Sequence, residues 1–283
     1  MLEFSNIDGR YRVSKLLYTR GVTSTYTALD LKNADREVLL DVAPVGELST
    51  DRESYLENLS QLASLLGSLE HANIASIQGF FLDGPYFGLV KSYDPGELLA
   101  DRLQAPEGEA LSQGFDLRVH LCRDVLEGLA TLHRVGVLHR DLSIRSLWMT
   151  QEAGSREVAQ IDHFHAAVAT YEDYKDPLGH FFSGPLAPEI QAGGSYSFQS
   201  DVFAVGMALV ELLSTEKGPR GLGDLSVFET NLTELEIHQR VPKPYGEVLV
   251  RATRPSRLER FQDGLDFLAA FDAMDIQRRL GDL

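Results

Sequence analysis

Between Tyr11 and Tyr93 apolar residues tend to alternate with polar ones, as in Tyr11 and Val13 and again in Val38, Leu40 and Val42. That two-residue period is the pattern of strands with one buried face, so it predicts β structure separated by polar turns. One stretch breaks the rhythm. From about Asp51 to Leu69, Leu56, Leu59, Leu62, Leu66 and Leu69 recur at helical spacing without a proline, which predicts a single helix among the strands. Tyr93-Asp94-Pro95-Gly96 is a turn cluster that ends the strand Phe87 to Val90, and beyond it the period becomes helical. Helices are expected at Gln113 to Arg134, with Leu117, Leu121, Val125 and Leu132 on one face, then at Ser200 to Ser214, Asn231 to Gln239, Tyr245 to Thr253 and Gln262 to Phe271. The pattern predicts an α+β chain with a small β-rich first lobe over residues 1–93 and a larger, mainly helical second lobe over residues 94–283. No internal repeat, heptad series or low-complexity tract suggests a solenoid or coiled coil.

Composition narrows the choice of function. The 283 residues are 43% hydrophobic and 24% charged, as in ordinary soluble globular proteins. A net charge of −16 repels phosphate backbones and anionic lipid, so neither nucleic acid nor a membrane surface is an expected partner of this segment. The single cysteine, Cys122, sits inside a helical pattern and reads as a small core residue rather than a nucleophile. One cysteine fits a reducing compartment, and the cytoplasm is the expected location. The longest apolar run, Val202 to Leu213, is shorter than the ~18 residues of a membrane span and contains Glu211. The start, MLEFSNIDGR, lacks the basic-then-apolar order of a signal peptide. There is no Gly-x-Ser-x-Gly elbow, no Walker loop and no dinucleotide fingerprint.

One set of motifs does stand out. Val137-Leu138-His139-Arg140-Asp141-Leu142 is followed about twenty residues later by Ile161-Asp162, then by Ala187-Pro188-Glu189, and by Ser200-Asp201-Val202-Phe203-Ala204-Val205-Gly206 opening an apolar helix. His-Arg-Asp-Leu with a strand-borne Asp downstream matches the catalytic-loop and metal-Asp positions of protein kinases. Together with Gly9-Arg10-Tyr11-Arg12-Val13, Arg260-Phe261 and Phe267-Leu268-Ala269-Ala270-Phe271, these motifs make the chain resemble bacterial Hanks-type Ser/Thr protein kinase domains over nearly its whole length. The resemblance implies a two-lobed protein-kinase-like fold.

Several positions depart from that family. The three glycine positions of the phosphate-covering turn carry Tyr18, Arg20 and Thr23, and the one glycine there, Gly21, is out of register. The strand motif Val-Ala-Ile-Lys reads Val38-Leu39-Leu40-Asp41, so a phosphate-repelling carboxylate stands where the family has its lysine. The helix glutamate position is Leu62, with Gln61 beside it. In the catalytic loop Asp141 keeps the base position, whereas Ser143 replaces the lysine two residues on and Ser146 replaces the magnesium-binding Asn. Asp-Phe-Gly has become Asp162-His163-Phe164, which keeps the metal carboxylate and loses the glycine. Around adenine, Leu39, Trp148 and Lys91 take the roof, floor and gatekeeper positions. Leu39 and Trp148 are expected to fill the purine space with protein side chains. Asp41 and Lys91 are expected to pair, because an unpaired buried charge is costly; the alternative is a hydrated Asp41 with Lys91 snorkelling to solvent.

The positions that hold such a fold together are retained: His139, Arg140, Asp201, and Glu189 with Arg260. Leu66, Ile77, His163 and His139 match the stack of side chains that links the lobes, so the histidines read as packing residues rather than metal ligands. Between Phe164 and Gly184, Thr170, Tyr171, Tyr174 and Ser183 stand among Glu172, Asp173 and Asp176, a segment that another kinase could phosphorylate and a phosphopeptide-binding domain could read. An ordinary solvated loop is the competing reading. The sequence-based expectation is a pseudokinase: no phosphotransferase activity, no cofactor, no metal, vestigial Asp141 and Asp162, and a scaffold or regulatory role through one or more proteins, a kinase or a phosphopeptide-binding domain among them. Two alternatives stay open: a kinase-like enzyme with non-standard nucleotide contacts, and a nucleotide-responsive switch that binds ATP without transferring phosphate.

Overall fold

The period-two segments of the first third pair into one antiparallel sheet: β1 (Tyr11–Arg20), β2 (Thr23–Asp30), β3 (Arg36–Pro44), β4 (Ile77–Asp83) and β5 (Tyr86–Ser92), in the spatial order β1-β2-β3-β5-β4. A computed structural model of the chain describes residues 6–20, 23–44, 52–104, 114–151, 156–164, 167, 184–214 and 232–281. The chain divides into two compact units, Met1–Pro95 with His163–Ser183, and Gly96–Asp162 with Gly184–Leu283.

In the first unit the pleat separates two sets of side chains. Tyr11, Tyr26, Ala28, Val38, Leu40, Val42, Phe81 and Val90 form the apolar cluster on one face. Cross-strand partners point to the same side of a sheet, and the register pairs Thr25 with Asp41, Asp41 with Leu89 and Leu39 with Lys91. Thr25, Leu39, Asp41, Leu89 and Lys91 therefore share the opposite face. The leucine-spaced segment is the helix α1 (Arg52–Gly67), which packs on β4 and buries Leu62, Ala63 and Leu66.

The second unit is built around helices. They are α2 (Leu99–Gln104), α3 (Phe115–Arg134), α4 (Pro188–Gln191), α5 (Phe198–Leu213), α6 (Glu234–Arg240), α7 (Tyr245–Ala252) and α8 (Gly264–Gly281). α5 is buried from Ser200 to Leu213, as a helix that is apolar nearly all round must be. At its start the Ser197 N–H donates to Ser200 Oγ at 3.2 Å, closing one of the open ends of the first turn. α3 is amphipathic and turns Leu121, Cys122, Val125, Leu129 and Leu132 inward. α6 begins with Thr233 Oγ1 accepting from the Glu236 N–H while Glu236 accepts from the Thr233 N–H, a reciprocal cap.

Two features differ from the sequence expectation. α8 runs on to Gly281 rather than ending at Phe271. Its last turns carry exposed Ile276 and Leu280, so no buried stripe announces them; Asp275 anchors them by accepting from Tyr245 Oη at 2.6 Å and from Arg279 Nε at 2.8 Å. The second unit also contains a small antiparallel sheet of β6 (Gly96–Leu98), β7 (Leu147–Gln151) and β8 (Glu157–Ile161). β6 is too short and β7 too uniformly buried to alternate. Gly96 is required there for close approach, because a Cβ would fall on the Met149 carbonyl and 2.6 Å from Trp148 Nε1.

Candidate functional site

β3 places Asp41 and β5 places Lys91 on the same sheet face, two residues apart along the ladder and diagonal to one another. Lys91 Nζ lies 2.9 Å from Asp41 Oδ2, and the two side chains are 1% and 2% exposed. The ion pair expected from sequence is present. The Thr25 hydroxyl donates to Asp41 Oδ1 at 2.6 Å, which fixes the carboxylate from the other side. Two charges sealed from water each lose hydration worth several kcal/mol, on the order that only a close partner can offset, and this geometry supplies that partner. Leu39 is buried beside them, while Leu62 turns an apolar side chain inward from α1 and Gln61 stays exposed.

The three glycine positions fall within strands rather than in a loose turn. Tyr18 pairs with Thr25 and Arg20 with Thr23 across the β1–β2 ladder; Gly21 lies outside the described residues. Tyr18 packs against the His163 ring, with centroids 5.3 Å apart. Leu66 and Ile77, two of the stacking positions, are buried in the same unit. Phe164 is fully buried, and the left-handed residue of this stretch is His163, with φ 68°, one position before the lost glycine.

In the second unit the catalytic-type loop is held from beneath. Asp201, at the start of α5, accepts from the backbone N–H of His139 (2.8 Å, Oδ2) and of Arg140 (2.9 Å, Oδ1), and its Oδ2 lies 3.3 Å from His133 Nε2. Burial alone would push this carboxyl's pKa up, but the hydrogen bonds from His133 and from the His139 backbone N–H help to bring it below the ordinary carboxylate value. Arg140 has φ 72°, a strained conformation that these bonds maintain. His139 Nε2 lies 2.8 Å from the carbonyl of Asp162, tying the loop to the end of β8.

Asp141 and Asp162 are both 2% exposed. The Gly184 N–H donates to Asp141 Oδ1 at 3.1 Å. The two serines are committed to the backbone: Ser146 Oγ accepts from the Ser143 N–H at 2.9 Å and donates to the Ser143 carbonyl at 2.8 Å, while Ser143 Oγ accepts from the Arg145 N–H at 3.2 Å. For a magnesium nucleotide, the carboxylate of Asp162 fits as an oxygen donor, whereas Ser146 spends its hydroxyl on a turn. Trp148 on β7 is nearly buried and Phe164 wholly so. Glu189 and Arg260 meet in this unit through two hydrogen bonds of 2.8 Å each. Thr170, Tyr171, Glu172, Asp173, Tyr174, Asp176 and Ser183 lie outside the described residues.

The family profile described as "Protein kinase domain" matches residues 42–281, most of the chain. The chain belongs to the protein kinase family. Among kinases it is 26% identical to the serine/threonine-protein kinase PknL of Mycobacterium tuberculosis over 96% of its own length and 67% of that protein. It is 26% identical to PrkC of Bacillus subtilis over 96% of the chain and 42% of that kinase. It is 30% identical to the rat dual specificity testis-specific protein kinase 1, but over 61% of the chain, and it spans 27% of that relative's length. The PknI kinase domain of Mycobacterium tuberculosis superposes over 95% of this chain and 97% of its own with a TM-score of 0.69 at 19% identity, which shows a shared kinase fold. Among the described residues no helix is long and apolar enough to cross a membrane.

Membership in this kinase family corrects one sequence-based expectation. The exchanges at Asp41, Leu62, Ser143 and Ser146, taken by themselves, imply a protein that is not an enzyme. The family profile and the relatives named as Ser/Thr kinases point instead to a phosphotransferase. The kinase match begins one residue past Asp41, so the exchanged glycine and lysine positions precede it. Reasoning from sequence also missed Thr25 and His133. Thr25 could have been found by carrying the register from Asp41 across to β2, whereas His133 gives no local signal, since its partner Asp201 is 68 residues away.

Proposed function

We propose that this chain is a kinase-family phosphotransferase acting on proteins, in which the phosphate-facing cation comes from β5, as Lys91, rather than from position 41 of β3. The observation that carries this reading is the Lys91 ammonium, held 2.9 Å from Asp41 on the sheet face that would otherwise present a lysine from β3. In this scheme Lys91 neutralises phosphate oxygens of ATP, and Asp141 takes the proton of an attacking protein hydroxyl. Asp162 is the carboxylate that would hold magnesium, which supplies charge neutralisation at the transferred phosphoryl group. The relatives' printed names suggest Ser/Thr acceptors, and the net charge of −16 suits a basic protein.

The test is phosphate transfer from ATP to the chain itself and to a basic protein, with magnesium or manganese, for the wild type and for Asp141→Asn, Asp162→Asn and Lys91→Met. Loss of a positioned base lowers transfer about 10²–10⁴-fold, so the Asp141 variant should fall by that order and the other two should fall as well. Equal transfer by wild type and Asp141→Asn overturns the reading.

A second role, regulation or scaffolding through protein contacts, draws support from the Ser143–Ser146 turn, which uses both hydroxyls for structure. Protein partners would then bind with the same affinity whether or not ATP and magnesium are present, and Asp141→Asn would leave that binding unchanged.

A further inference from the structure

The same cluster has a feature that phosphate binding by Lys91 alone does not explain. A cation meant for phosphate is paired with a carboxylate inside the sheet, and that carboxylate is itself aimed by a third residue, Thr25, whose side chain is fully buried. Thr25 and Asp41 are direct cross-strand partners, so the hydroxyl reaches Oδ1 at 2.6 Å without distortion of the ladder and leaves Oδ2 toward the ammonium.

We infer that Asp41 is a built-in competitor for the nucleotide phosphate at Lys91, with Thr25 as the positioning residue that keeps it engaged. The inference rests on the reading of Lys91 as the phosphate-facing cation. An incoming triphosphate must replace Asp41 as the counter-ion of Lys91 and must also tolerate a buried negative charge beside it. Both effects weaken binding, and both disappear when the carboxylate becomes an amide of the same shape. The consequence is a kinase-family domain whose ATP affinity is set low by its own β3 residue, and raised by whatever draws Asp41 away from Lys91.

Thr25 acts through orientation rather than charge. Without its hydroxyl Asp41 keeps its charge but loses one fixed oxygen, so the competitor weakens in part. Serine restores the hydroxyl and should restore the competition, whereas a purely packing role for Thr25 would leave serine and valine alike in their effect on ATP.

The experiment is calorimetric titration of magnesium ATP and of adenosine into the wild type and into Asp41→Asn, Asp41→Asn with Lys91→Met, Thr25→Val and Thr25→Ser, each checked for cooperative thermal unfolding. Asp41→Asn should bind magnesium ATP on the order of tenfold more tightly, one pK-unit-sized change in the charge balance of the site. Adenosine, which has no phosphate, should bind as before. Adding Lys91→Met should cancel the gain, Thr25→Val should give part of it, and Thr25→Ser should give none. If Asp41→Asn folds and binds magnesium ATP no more tightly than wild type, the inference is overturned. If Asp41→Asn does not fold, Thr25→Val decides: a gain that serine does not reproduce sustains the inference, and no gain overturns it. Failure here with Asp141-dependent transfer intact removes the competitor while leaving the proposed phosphotransfer in place. A gain in ATP binding that needs Lys91, without transfer, does the reverse.

Discussion

Arg260 and Glu189, 71 residues apart in the chain, meet through two parallel hydrogen bonds of 2.8 Å, Nη1 to Oε1 and Nη2 to Oε2. The Arg260 side chain is fully buried and also donates to the carbonyls of Gln199 (2.9 Å), Arg254 (2.6 Å) and Pro255 (2.9 Å), so its planar fork ties four segments together.

Arg260→Met should therefore cost about 3–5 kcal/mol of stability, the range for breaking a buried ion pair, read by urea unfolding at neutral pH. A loss within about 0.5 kcal/mol, the scatter of an ordinary surface substitution, would refute the central role of the fork. The pH dependence has a definite sign. Burial pushes the Glu189 carboxyl up, but the hydrogen bond from Arg260 and its further partners outweigh it and leave the pKa below the ordinary 4.5. The pair's contribution is complete above that ordinary value and disappears as pH falls through the depressed one. In the Arg260 variant this acid-side loss should be reduced.

Glu211 predicts the opposite slope. This α5 carboxyl is 8% exposed, its Oε2 has no hydrogen-bond partner among the described residues, and burial pushes its pKa from 4.5 up to about 7 against the opposing charge of Arg145. An unfolded chain ionises near 4.5 and the folded one near 7, so stability is lost as pH rises across that interval and is flat above it. Glu211→Gln should remove this dependence and gain on wild type by up to about 3 kcal/mol between pH 5 and pH 8. Unfolding at both pH values checks it, and an equal difference at the two would contradict the assignment.

Asp41→Ala leaves Lys91 buried without the carboxylate and should cost about 3–5 kcal/mol, whereas Asp41→Leu combined with Lys91→Met should be neutral or stabilising. A double-mutant cycle measured by thermal unfolding separates the two terms. Additive losses would mean that the pair contributes no coupling.

Ser146→Ala deletes both hydrogen bonds between its hydroxyl and the Ser143 backbone. The expected cost is about 1–2 kcal/mol, and for a chain of this size each kcal/mol lowers the unfolding midpoint by roughly 2–4 °C. An unchanged midpoint would show that the turn is held by its neighbours instead.

The strands of the first unit and the core helices were legible because each presents one buried face at a fixed period, and the kinase motifs were legible as contiguous residues in order. The pairing of Asp41 with Lys91 could be anticipated because two exchanged positions of opposite charge fall on neighbouring strands. Thr25 was not anticipated: a threonine in a strand is ordinary, and only the register against β3 gives it a role. The last turns of α8 were missed because polar contacts around Asp275 hold them rather than an apolar stripe. Activity was misjudged for a related reason. A list of exchanged residues takes each position singly, whereas the family match spans residues 42–281 and includes the retained motifs around Asp141, Asp162 and Glu189.

The grip of Asp201 on His139 and Arg140 has a structural corollary. With two backbone N–H groups and His133 anchored to a helix that is buried for nearly its whole length, the loop's path is set upstream of position 143. A substitution at Ser143 or Ser146 then costs the local turn its own hydrogen bonds but leaves the anchoring of His139 and Arg140 in place, so its effect on the fold stays local. The residue that anchors the start of the loop, Asp201, and the carboxylates proposed to act at the site, Asp141 and Asp162, are different ones.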